Sequence, residues 1–206
     1  EDRKYYNDMF MINNPLCKAY CSELVWWLCG EAIQCYGGYG FIEEYPVAQL
    51  ARDSKIYSIW EGTTFIQSMD LVGRKFSMDK GKPFQKWMQE LSQNIEAHRD
   101  NQDFAEEVQM LSRAYESFTN MLRMLKDKLS AGEVSYQGLW ANRIMFPMSM
   151  VYCGMLLLDQ GILAKQKLDE VGDDSFDANF YKGKIASARF YVLNEVPKVF
   201  SMEENF

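Results

Sequence analysis

The segment Ile59 to Gln67, IWEGTTFIQ, places one carboxylate, Glu61, between Trp60 and the turn Gly62-Thr63-Thr64. A helix is expected to begin at Thr63 or Thr64. A carboxylate flanked by Ile59, Trp60 and Phe65 is expected to lose hydration, which would suit it to the work of a general base. Gly62 leaves an open approach to it. Free N–H groups at the following helix start can hold an oxygen that gains negative charge. A base beside an oxyanion donor suits removal of a proton next to a carbonyl. The same residues also describe an acid placed to favour a helix N-terminus, and their spacing alone leaves both readings open. Upstream, Gln34 to Gly40 reads QCYGGYG. Glycines there let a ligand approach the backbone closely, or they simply make a turn between helices.

The elements that position these residues read as helices throughout. Asn13-Asn14-Pro15 has the form of a helix start, with Asn14 as cap and Pro15 at the first position. Apolar residues from Leu16 to Ile33 recur at helical spacing, so a long helix is expected over about 15–35, ending at Gly37-Gly38. A shorter helix begins at Pro46 and covers residues to about 54. A non-periodic bridge, 55–62, leads to a helix running to about 76. Arg52-Asp53 is expected to lock the loop that follows it. Residues 77–83, SMDKGKP, read as a polar linker. Helices are then expected over about 84–100, 104–131, 134–168 and 177–202, with kinks at Pro147 and Pro197. The pattern is all-α. It divides into residues 1–76, the linker 77–83, and a further antiparallel helical bundle over 84–206.

Bulk properties narrow the function classes. The chain has 206 residues, 48% hydrophobic and 25% charged, with net charge −7. This is an ordinary globular profile, and the absence of a dense Lys/Arg run makes nucleic acid a poor partner. The most apolar run, Ile144 to Leu158, falls short of the ~20 residues that span a bilayer and reads as a buried helix, so no transmembrane segment is expected. Met-rich stretches such as IMFPMSMVYCGMLLL read as core. Five cysteines, four of them within nineteen residues of one helix and its end, suggest reduced, mostly buried thiols. Cys17 and Cys21 share a helix face, but no metal site is expected, because nothing completes a ligand set. The only histidine, His98, reads as a solvated residue. No secretory signal is visible, and the opening Glu1-Asp2, without methionine, reads as mid-protein.

A family resemblance bears on Glu61. The stretch QCYGGYGFIEEYPVAQLARDSKIYSIWEGTTFIQ, Gln34 to Gln67, resembles without insertion or gap the signature near the C-terminal end of the catalytic region in acyl-CoA dehydrogenases. KAYCSELVWWLCGEAIQ resembles the helix that leads into it. The likeness covers roughly residues 13–76, and residues 84–206 resemble, more loosely, a helical domain appended to longer members. It implies that the chain holds the end of a four-helix bundle plus the appended bundle, without the family's N-terminal and β-domains.

The resemblance also implies roles. Glu61 falls on the base that takes the α-proton of an acyl-CoA thioester while the β-hydrogen leaves as hydride to flavin N5. Its backbone N–H falls on a donor to the thioester oxygen. Gln34, Gly37 and Gly38 fall on a stretch that meets the FAD of a neighbouring subunit, and Thr63 falls on a flavin contact. Trp60, where Tyr is usual, is expected to wall the pocket, with Gly62 beside it. Phe65 departs from the Gln found in many members. The implied partners are an acyl-CoA substrate, further copies in a dimer or tetramer that shares FAD across subunits, and an electron-transfer flavoprotein as acceptor. The implied compartment is a bacterial cytoplasm or a mitochondrial matrix. A non-catalytic assembly module of the same fold and an acyl-CoA oxidase are the alternatives. The chain by itself is expected to be inactive.

Overall fold

A computed structural model describes residues 2–206. Among these residues every regular element is helical, in line with the all-α expectation. The helices are α1 (Asp2–Tyr36), α2 (Gly38–Phe41), α3 (Pro46–Lys55), α4 (Thr64–Met69), α5 (Lys82–Ala97), α6 (Ala105–Ser130), α7 (Ser135–Val171), α8 (Ala178–Phe190) and α9 (Lys198–Glu204). Two compact units divide them. The first runs to Phe84 and adds Gln137–Phe146; the second comprises Gln85–Tyr136 and Pro147–Phe206. Residues 77–83 contain a 3₁₀ turn, Met78–Gly81, and the start of α5.

In the first unit, α1 packs against α2, α3 and α4. Its buried residues Ile12, Leu16, Ala19 and Tyr20 form a stripe at helical spacing. The expected helix start at Pro15 is corrected: α1 runs through it unbroken from Asp2. Proline has no N–H and so leaves the carbonyl four residues back, that of Met11, without its helical donor. Lys75 supplies the replacement. Its ammonium donates to the Met11 carbonyl, and its side chain is only 2% exposed. Lys75 ends a widened π-turn, Asp70–Lys75, that continues α4, with Phe76 N donating to Leu71 O at 3.0 Å.

Asp70 sits 3.4 Å from Lys75 and 2.6 Å from Arg74. The hydrogen bond from Arg74, and then the charge of Lys75, hold its carboxyl below the usual carboxylate range. The folded pKa is depressed, so this stabilisation is present above the unfolded value of about 3.9 and is lost as pH falls through the folded one. Asp70→Asn is therefore expected to lower the urea midpoint at neutral pH and to flatten its acid limb. Midpoints measured from about pH 7 to about pH 2 check this; an unchanged profile contradicts it.

In the second unit, α5 and α7 meet through Trp87 and Tyr152, whose ring centroids lie 5.1 Å apart. Phe104, Leu111, Phe118, Met121, Met148 and Leu158 are fully buried core. Gly154 and Gly161 permit close helix packing: an added Cβ would come within 2.8 Å of Leu111 and Val196, or of Ala188. The helix α7 is continuous through Pro147. Before Pro197 the chain widens into a π-turn, Tyr191–Glu195, which accommodates a ring that would collide with the Leu193 carbonyl in a regular α-turn. By length and composition α7 could cross a membrane, but 56% of its apolar window is buried inside the structure, as in a core helix. His98 is not simply solvated. Its Nε2 lies 2.8 Å from Asp159 Oδ1, and Asn94 Nδ2 donates to Asp159 Oδ2 at 3.0 Å.

Candidate functional site

Glu61 has φ 50° and Gly62 has φ 91°. The left-handed region is natural for glycine but costs a glutamate about 1 kcal/mol or more, so it persists only where its surroundings enforce it. Two side chains from different helices hold the turn here. Gln67 Nε2 donates to the Glu61 carbonyl at 3.0 Å, and Lys18 Nζ donates to the Gly62 carbonyl. Thr63 then caps α4, its hydroxyl oxygen accepting from Ile66 N at 3.4 Å. Thr64 Oγ1 donates to Glu23 of α1. Two consecutive peptide carbonyls and the helix start are thus each fixed. Among the described residues the Glu61 N–H itself makes no hydrogen bond.

This turn closes one side of a cleft of about 440 Å³, lined by Cys17, Lys18, Cys21, Ser22, Val25, Tyr57, Trp60 and Glu61. Of the residues singled out from sequence, Trp60 and Glu61 meet in this cleft, with Gly62 and Thr63 adjoining. The wall that sequence reasoning missed is one face of α1. Cys17, Cys21 and Val25 follow one another at four-residue steps, with Lys18 and Ser22 beside them, a spacing readable as a helix face. The expectation that water is scarce around Glu61 is not met within this chain: Glu61 is exposed, and Trp60 and Ile59 are 51% and 55% exposed.

No disulfide joins the cysteines among the described residues, yet they are not mostly buried: Cys17, Cys21 and Cys35 are exposed, and Cys29 and Cys153 intermediate. The stripe buried in α1 ends at Ser22, which leaves the remaining faces of the helix open. Partial burial pushes the Cys21 thiol up, and neighbouring Cys17 adds to it. Alkylation of Cys21 by iodoacetamide is therefore expected to keep accelerating beyond about pH 8.5, the ordinary thiol midpoint. Peptide mass spectrometry against pH checks this, and a plateau at lower pH refutes it.

Gln34, Gly37 and Gly38 lie at the other end of α1, outside the cleft, and all three are exposed. Gly37 has φ 62° and ψ −144°, a conformation essentially confined to glycine. Nothing lies within 4 Å of a Cβ built on Gly37 or Gly38, whereas one on Gly40 would strike the Ile33 carbonyl at 2.6 Å. Gly40 is thus needed for packing and Gly38 is not. Arg52 reaches back to Glu43 at 3.0 Å rather than locking the loop ahead of it. Around these features the first unit leaves large apolar side chains exposed, among them Trp27, Tyr39, Phe41 and Phe65, far more than a finished surface needs.

Comparison with known proteins identifies this architecture. Residues 7–76 match the family described as acyl-CoA dehydrogenase, C-terminal domain, and residues 87–205 match the one described as acetyl-CoA dehydrogenase C-terminal like. The chain belongs to the acyl-CoA dehydrogenase family. Among acyl-CoA dehydrogenases it is 53% identical over 204 residues to a butyryl-CoA dehydrogenase of Syntrophomonas wolfei, an alignment spanning 99% of this chain and 33% of that protein. It is 30% identical to the broad-specificity linear acyl-CoA dehydrogenase FadE5 of Mycobacterium tuberculosis, over 96% of this chain and 33% of FadE5. The crystal structure of Caenorhabditis elegans ACDH-11 in complex with C11-CoA superposes with a TM-score of 0.68 at 26% identity, covering 91% of this chain and 29% of ACDH-11. The chain spans about a third of the length of these acyl-CoA dehydrogenase relatives.

Proposed function

We propose that this chain provides the base and one flavin-facing edge of an FAD-dependent enzyme that dehydrogenates an acyl-CoA thioester between its α and β carbons. The observation that carries the reading is the Glu61 turn: a carboxylate in a left-handed conformation, held by Gln67 and Lys18, on the wall of an open cleft. Family membership supports it. The Glu61 carboxylate takes the α-proton. The unpaired Glu61 N–H, on the same residue, donates to the thioester oxygen as charge gathers there. Trp60 walls the cleft and helps exclude water once the rest of the enzyme closes over it.

The residues present fit a flavin. Gly37 and Gly38 offer backbone that no side chain covers, Gln34 is exposed beside them, and the Thr63 hydroxyl accepts from Ile66 N while keeping its own proton free to donate. These four residues would hold FAD. Bound FAD supplies the acceptor for the β-hydrogen as hydride. The exposed apolar surface of the first unit is the kind that the remaining domains and neighbouring copies of the enzyme would cover.

The full-length protein is expected to purify with flavin and to lose its flavin absorbance when mixed anaerobically with a short-chain acyl-CoA. A colourless protein, or one whose flavin is indifferent to acyl-CoA, would instead mark a helical assembly module. After reduction, transfer to an electron-transfer flavoprotein is expected; prompt peroxide release would mark an oxidase.

A further inference from the structure

The cleft carries one cationic side chain, and its position has a consequence for the base. Lys18 lies on α1, half-buried, 44 residues before the carbonyl it holds. Its partner is the carbonyl of Gly62, the residue after Glu61, in the peptide that joins Gly62 to Thr63. The preceding peptide, whose carbonyl is that of Glu61 and accepts from Gln67 at 3.0 Å, is one of the two planes that set the Glu61 backbone in its left-handed conformation, and the two held peptides together fix the Gly62 backbone to which that plane is joined. Gln67 belongs to α4, four residues past the Thr63 cap, so its grip is local. Lys18 is the hold that ties the turn to the opposite wall of the same cleft. Without it the Gly62 peptide, in a region where glycine rotates freely, has no partner from α1. The Glu61 side chain would then lose its fixed origin.

We infer that Lys18 is a positioning residue for Glu61, acting through the Gly62 carbonyl. The inference rests on Glu61 being the base. Thr64, hydrogen-bonded to Glu23, holds the helix start to α1 independently, so loss of Lys18 frees the turn without releasing α4. Misplacement of a reacting group by about 1 Å can cost on the order of 10²-fold in rate. The effect belongs in kcat rather than KM, because the substrate is still bound but meets a mobile base.

The test uses the full-length enzyme with Lys18→Met, Lys18→Arg and Glu61→Gln. Lys18→Met keeps the length and apolar stem and removes the donor; Lys18→Arg restores a donor. For Lys18→Met, kcat is expected to fall about 10- to 10²-fold with KM within about threefold, at unchanged flavin content and melting temperature. Lys18→Arg is expected to recover most of the loss. A Lys18→Met enzyme with normal kcat overturns the inference. So does one whose loss follows unfolding or loss of flavin, and so does failure of Lys18→Arg to recover activity. Glu61→Gln separates the two levels. If it is inactive while Lys18→Met is normal, only the positioning role fails; if it turns over normally, the base assignment fails and takes the Lys18 role with it.

Discussion

Glu61→Gln in the full-length enzyme is expected to lower turnover by about 10²- to 10⁴-fold, the range contributed by a positioned general base, while FAD stays bound. The substitution conserves shape. Gln67 binds the residue's main-chain carbonyl and Lys18 that of its neighbour, so neither hold depends on the carboxylate. The backbone N–H that would donate to the thioester oxygen is likewise kept. What disappears is the ability to accept a proton. KM should change little, and exchange of the substrate's α-hydrogens with deuterated solvent should stop. A variant that loses flavin or melts early would instead give Glu61 an architectural role. Glu61→Gly offers a contrast: it relieves the left-handed strain and so should not destabilise the fold, yet it is expected to be equally inactive.

The second large effect concerns stability. Lys75→Met is expected to destabilise the protein by about 2–3 kcal/mol, the cost of leaving a buried acceptor unpaired and losing a charge-assisted hydrogen bond. The unpaired acceptor is the Met11 carbonyl, orphaned because Pro15 has no N–H to give it. Pro15→Ala supplies that N–H from within α1. The double variant Pro15→Ala/Lys75→Met should therefore be less destabilised than the sum of the single changes, with a coupling of about 1 kcal/mol or more. Burial pushes the Lys75 ammonium below its ordinary pKa, and Asp70 opposes this. The charged form is thus held at a cost, and stability is expected to rise as pH climbs from the lowered value to about 10.4, the unfolded one. Denaturant midpoints of the four proteins, measured at a single pH, give the coupling. Strict additivity would mean that Lys75 and Pro15 do not share the Met11 carbonyl.

Much of the fold was legible because it rests on local signals. Pro46 opens α3, Thr63 caps α4, and the long apolar periodicities give α5, α6 and α7 within a few residues. Pro15 misled because a proline after Asn-Asn looks like a first-turn residue. Its tolerance inside α1 depends on Lys75, 60 positions later, and no local pattern carries that. The π-turns were illegible for the same reason: they are solved by tertiary fit. At the site, the gapless motif pointed to Glu61, but its turn is held by Gln67 and by Lys18, and the Lys18 contact joins the turn to another helix. The burial of Glu61 and of the cysteines was overestimated. Apolar neighbours in sequence do not by themselves bury a residue: Glu61 and three of the cysteines are exposed beside them. The sequence around His98 suggests a solvated ring because Asp159 and Asn94, which share its cluster, sit on other turns of the second unit's helices.

The most direct test of the central claim is a single-turnover experiment on the full-length protein. Wild-type enzyme and Glu61→Gln, each with flavin bound, are mixed anaerobically with a short-chain acyl-CoA and the loss of flavin absorbance is followed. The wild type should bleach rapidly, and Glu61→Gln should bleach at least about 10²-fold more slowly. Bleaching of Glu61→Gln at the wild-type rate would contradict the assignment of this residue as the base.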